Sequence, residues 1–159
     1  MAKTKTRKVS ATVPPSDLTK RPPRSARVRL GGYVILARCL DKCRAILAGT
    51  QGEYVYACPL DMLFLDFVGI SPGALKKQIA SGKSDWEILR WINANAKHKH
   101  SRAEIAAWSA WQEQIVPSDI DSRGLFQRIH SKIAPHRKDV TTWSELLDLD
   151  DYVSFGGKA

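Results

Sequence analysis

The stretch Gly32–Gly69, GYVILARCLDKCRAILAGTQGEYVYACPLDMLFLDFVG, decides how the rest of this chain is read. Its first half is an apolar segment threaded with Arg38, Asp41, Lys42 and Arg44, closed by Gly49, which suits the left-handed residue that ends a helix. At 100° per residue, Leu36, Cys39, Leu40, Cys43, Ile46 and Leu47 form one broad apolar arc. The opposite arc sets Arg38, Asp41 and Lys42 among Val34, Ala37, Ala45 and Ala48, small residues that let something approach closely. The pattern predicts a first helix that begins between Arg27 and Gly32. Charges on a helix that can be buried on both arcs must find partners. Asp41 lies three residues from both Arg38 and Arg44, so local ion pairing is the expectation.

After the Gly49–Gly52 turn, Glu53-Tyr-Val-Tyr-Ala57 reads as a short extended segment with both tyrosines on one face. Pro59 then opens a second helix, since its missing N–H is harmless in a first turn. Leu60, Leu63, Phe64 and Phe67 give that helix an apolar stripe, and Gly69 closes it. Ser71-Pro72 opens a third, ended by Gly82.

Farther along, Ser84…Glu87, Ser101…Glu104 and Thr142…Glu145 have the spacing of helix-starting capping boxes. The first two extend to Ser-x-x-Glu-Ile-x-x-Trp and read as successive helices with facing stripes, Ile88, Trp91 and Ile92 against Ile105, Trp108 and Ile115. Another helix carries Leu125, Ile129 and Ile133 and stops at Pro135. A last, short one runs from Trp143 to Leu149, with Asp148, Asp150 and Asp151 at an end where a basic partner would offset the helix dipole. The fold class is all-α: six to seven helices, one short extended segment and a basic N-terminal tail.

The 159 residues suit one domain, taken as residues 25–159, with residues 1–24 a disordered tail. Net charge is +9, and residues 1–29 supply nearly all of it: nine Lys/Arg stand there against Asp17 alone. Such a segment, from Lys3 to Arg29, could hold phosphate backbones without reading sequence. A solubilising leader is the preferred reading, because no aromatic is interleaved to stack on bases. No apolar run approaches the ~20 residues of a membrane span. With no apolar segment after the basic start and three cysteines that cannot all pair, a cytoplasmic protein is expected.

A candidate pocket follows if the Gly49–Gly52 turn folds the next segment back along the first helix. It would gather Arg38, Asp41, Arg44, Glu53, Tyr54, Tyr56, Cys58 and Asp61. Arginines would hold a carboxylate or phosphate, Glu53 would move a proton, and Cys58 would act as a nucleophile at a helix N-terminus. The competing reading is structural: Arg38 pairs with Asp41, Glu53 bonds Arg44, and the tyrosines cap the core. Metal and cofactor chemistry is not expected, because Cys39, Cys43, Cys58 and the four histidines show no paired ligand spacing. Of the five tryptophans, most belong to the core, and one or two would mark a protein-facing surface. The function expected is a binding or interaction module for an unknown small molecule or protein. A small-molecule enzyme and a weak nucleic-acid binder are the alternatives.

The blocks Leu30-Gly31-Gly32-Tyr33, Leu36-Ala37-Arg38, Asp41-Lys42, Arg44-Ala45, Gly52-Glu53-Tyr54, Cys58-Pro59-Leu60-Asp61 and Thr141-Thr142-Trp143 resemble a bacterial family known as domain of unknown function 5069. The likeness covers most of residues 22–156. It implies no activity and no site residues. The family pattern often has His where this chain has Val55, so no metal or acid–base role is expected of that position.

Overall fold

In a computed structural model of the chain, residues 14–159 are described, and they form seven helices and no strand. In order these are α1 (Leu36–Ala48), α2 (Pro59–Val68), α3 (Pro72–Ala80), α4 (Asp85–Asn95), α5 (Arg102–Glu113), α6 (Ile120–Ile133) and α7 (Trp143–Ser154). The start signals act as their spacing predicts. Ser84, Ser101 and Thr142 each close a reciprocal capping box, Asp119 forms a fourth with Ser122, and Gly49 and Gly69 end α1 and α2 with positive φ.

Helix α1 is the central rod. Every residue from Leu36 to Ala45 is buried, charged ones included. Its apolar arc enters the main core with Phe64, Leu65 and Val68 of α2, Leu75 and Ile79 of α3, and Ile88 and Ile92 of α4. Trp91, Ile105 and Trp108 pack around this core, and a smaller one joins α6 to α7 through Ile129, Ile133, Leu146 and Leu149. Trp86 and Trp111 remain exposed.

Four expectations need correction. Helix α1 starts later than Gly32, because the residues before it spend their hydrogen bonds elsewhere. Leu30 and Tyr33 bond each other at 3.0 and 3.1 Å across Gly31 and Gly32, both at positive φ. The buried Ser109 hydroxyl accepts from Val34 N and donates to Gly32 O. Residues 53–57 form no strand; they make two turns, with Ala57 at φ 58°. Helix α7 runs on to Ser154, and Leu47, placed in the apolar arc, is exposed.

The expected tail, residues 1–24, falls only partly within the described residues. Residues 1–13 lie outside the described residues. The packed chain nevertheless begins well before residue 25: Leu18 is 1% exposed, and its N–H bonds Thr50 O at 2.9 Å. Arg24 reaches Asp41 and Asp85.

Candidate functional site

Arg38 and Lys42 stand one turn apart on α1, so their side chains leave the helix on the same face. That face borders a cavity of about 440 Å³. Leu18 and Thr19 form one wall, the 52–55 turn and the start of α2 another, and a third comes from Leu147 and Asp150 of α7 with Phe155, which caps that helix. The lining is mixed, with apolar Leu18, Ile35, Leu60 and Phe155 set among ionisable groups. Two backbone outliers adjoin it. Ile35, which lines the cavity and caps α1, sits at φ 62°, and Ala57 precedes the lining residue Cys58. A β-branched residue in the left-handed region costs of order 1–3 kcal/mol, and such strain gathers at working sites.

Both cations of this face are matched. Arg38 donates to Asp151 Oδ2 at 2.6 Å and Oδ1 at 3.2 Å, and Tyr54 Oη donates to the same Oδ1 at 2.7 Å. The Arg38 guanidinium carbon lies 5.4 Å from the centre of the Tyr54 ring. Burial pulls the Arg38 pKa down, but the Asp151 carboxylate more than offsets it and the net direction is up. Burial and the bond to Asp151 raise the Tyr54 phenol. Lys42 Nζ stands 2.7 Å from Asp61 Oδ2 and donates to Cys58 Sγ at 3.2 Å. Lys42 and Asp61 side chains are 4% and 0% exposed. The Asp61 contact is an ion pair without an aligned hydrogen bond, and Oδ1 has no hydrogen-bond partner among the described residues.

The two remaining carboxylates of the lining are in a different condition. Asp150 and Glu53 have no bonded cation among the described residues. Partial burial first, and then the neighbouring Asp151 charge, push the Asp150 pKa up, and Glu53 adds to the same direction.

Of the eight residues expected to converge, Arg38, Glu53, Tyr54 and Cys58 line the cavity, and Asp61 lies behind Lys42. The other three do not join them. Asp41 accepts from Arg24 Nη2 at 2.8 Å, Nε at 2.9 Å and the Arg24 backbone N–H at 3.0 Å. Arg44 pairs with Asp85 at 2.6 Å, and Tyr56 Oη donates to Pro72 O. The expected local pairs are therefore replaced by distant ones. Arg38 does not pair with Asp41, Glu53 does not bond Arg44, and each charge of α1 holds a different part of the chain. Sequence reasoning missed Lys42, Asp150 and Asp151 as members of the site. Their signals were the Arg38/Lys42 spacing and the acidic run that α7 carries near its C-terminal end.

The two core cysteines and His100 are held by packing. Cys39 and Cys43 are buried in the core, where burial raises both thiols, Cys43 to about 11. His100 stacks on Phe67 with ring centres 3.8 Å apart, and its Nε2 lies 2.8 Å from Phe67 O. No group of three His, Cys, Asp or Glu side chains suited to a metal ion occurs among the described residues. The basic residues from Lys20 to Arg29 are largely engaged. Lys20 pairs with Asp17, Arg24 with Asp41 and Asp85, Arg27 with Asp148, and Arg29 with Glu113. None of the described helices is long and apolar enough to cross a membrane.

The family model of domain of unknown function (DUF5069) matches residues 20–153. The chain belongs to this family. No curated protein matches it. The DUF5069 match takes in all four ion pairs made by α1 and every ionisable residue of the cavity.

Proposed function

We propose that the protein is a small-molecule-binding module whose ligand carries a positive charge on a compact apolar body. The observation that carries this reading is the unbalanced charge of the cavity. Arg38 and Lys42 are neutralised by Asp151 and Asp61, whereas Glu53, at the exposed rim, and Asp150, farther in, face the space with no bonded cation. Glu53 and Asp150 carry like charges, and the ionised form of Asp150 is disfavoured, chiefly by burial and by Asp151 and least by Glu53, with Lys132 and Arg38 acting the other way. An ammonium group between them would offset the like charges, and apolar walls would bury the rest of the ligand.

Phenethylamine and 3-phenylpropanoate have similar bodies and opposite charges, which makes them a discriminating pair of probes. The amine is expected to raise Tm, and Asp150→Asn is expected to weaken its binding by about tenfold. A preference for the carboxylate, or no response to either probe, would overturn the reading.

A further inference from the structure

A second cleft, of about 340 Å³, shares no lining residue with the cavity beside α1 and α7. Its floor is apolar, made by Tyr33, Leu89 of α4 and Ile105 of α5. Its charge comes from His98, Lys99, His100 and Arg102, and no Asp or Glu lines it. None of the four makes an ion pair among the described residues. Lys99 is spent on the end of α4, donating to Asn93 O and Ala94 O at 2.5 and 3.0 Å.

Three other groups of the lining have unused hydrogen-bonding capacity. Tyr33 is 4% exposed, its ring packed edge-on against Phe64 and Phe67. Its phenol has no hydrogen-bond partner among the described residues, yet the oxygen is not enclosed, so it opens on the cleft that the residue lines. A largely buried hydroxyl without a partner is a group that an incoming acceptor would satisfy. His100 is fixed by its stacking on Phe67 and by Nε2, 2.8 Å from Phe67 O. A carbonyl only accepts, so Nε2 carries the proton and Nδ1 is left without a partner among the described residues. Arg102 has no bonded acceptor among them either. The start of α5 is already occupied, because Ser101 and Glu104 cap each other's amides, so side chains would do the holding.

We propose that this cleft binds a phosphate group, held by Tyr33, His100 and Arg102. The Tyr33 hydroxyl and the Arg102 guanidinium donate to its oxygens, and His100 donates through Nδ1 as the imidazolium. Two cationic groups and a phenol match a dianion with several accepting oxygens, which a phosphate supplies and a carboxylate does not. The apolar floor suits the organic part of a small phosphate monoester. The site is separate from the amine-binding cavity and does not depend on it.

The probes are inorganic phosphate and phenyl phosphate, titrated into the full chain at fixed pH and ionic strength. The imidazole NMR signals of the four histidines report the outcome without any variant. Those of His98 and His100 are expected to move along one saturating curve, with His130 and His136 unmoved. Tighter binding of phenyl phosphate would mark the ligand as an ester, and equal binding of the two would mark it as free phosphate. Tyr33→Phe keeps the packed ring and removes only the hydroxyl, so it should fold normally and weaken both probes by about tenfold. Arg102→Gln, at an exposed position, should weaken them by a similar factor. Shifts that do not saturate, equal shifts at all four histidines, or unchanged affinity in either variant would overturn the proposal. Amine binding is read from Tm with a different probe, so either reading can fail while the other survives.

Discussion

Arg38 of the central helix and Asp151 of the last helix share two hydrogen bonds, 2.6 and 3.2 Å long, across 113 positions of sequence. Both side chains are under a tenth exposed, so their charges depend on each other rather than on water. The pair joins the main core to the α6–α7 unit, and its Arg38 lines the cavity.

Removing one partner of this pair leaves a buried charge. Arg38→Met is expected to cost about 3–5 kcal/mol, whereas Arg38→Met combined with Asp151→Leu should recover most of that loss. Urea denaturation of the two variants checks this. A single-variant loss within ~0.5 kcal/mol, the range of ordinary surface changes, would mean that Asp151 is held by other groups.

Leu18 supplies a direct test of where the packed chain begins. Being 1% exposed, it should behave as a core residue despite its position beside the basic start. Leu18→Ala is expected to cost about 2–5 kcal/mol of unfolding free energy. A loss typical of exposed positions would return residues 14–24 to the tail.

Acid should unfold the protein partly through Asp85. Burial alone would raise its pKa, but hydrogen bonds from Arg24 and Arg44 outweigh it and hold it below 3.8. A carboxylate with a depressed folded-state pKa contributes stability that is present above its unfolded value and lost as pH falls through the folded one. Asp85→Asn should therefore be destabilising at neutral pH, with its difference from the unaltered protein shrinking as pH drops below the carboxylate range. Chemical denaturation repeated across acidic pH measures the difference, and a gap independent of pH would refute the assignment.

Asp150 should show the opposite sign. Its folded pKa is raised from 3.8, so the protonated form favours folding below the unfolded value and that contribution is lost as pH rises through the folded one. At neutral pH the ionised group opposes folding, and Asp150→Asn is expected to increase Tm while weakening amine binding. The Tm gain should fade as pH falls below the carboxylate range. A destabilised Asp150→Asn at neutral pH would show that the carboxylate has a structural partner.

Much of the fold was legible because its signals are local. A capping box such as Thr142…Glu145 is closed by atoms within one turn, and Pro59 and Gly69 bound α2 by their own backbone preferences. The departures arose where a distant group took over a local one. Ser109, Ala26 and the Leu30–Tyr33 pair claim the backbone that would otherwise have begun α1 earlier. Within the candidate pocket, Glu53, Tyr54 and Cys58 were legible because the turn after α1 carries them back beside Arg38.

The sequence by itself determined the all-α class, most helix boundaries and the fact that α1 carries charges needing partners. Only the tertiary structure decided which partners. On an isolated helix, Arg38, Asp41 and Arg44 are neighbours, and short-range pairing costs the least chain entropy. In the folded chain α1 is enclosed by other segments, and Arg24, Asp61, Asp85 and Asp151 arrive with those segments as charges that also need partners. A local Arg38–Asp41 pair would take the buried Asp151 away from its cation and Arg24 away from one of its two carboxylates, and for a buried group such as Asp151 that cost exceeds what the shorter loop saves. The cavity follows from the same competition. It is bounded by residues from Leu18 to Phe155, so its shape and its two unmatched carboxylates come into being only when those segments meet.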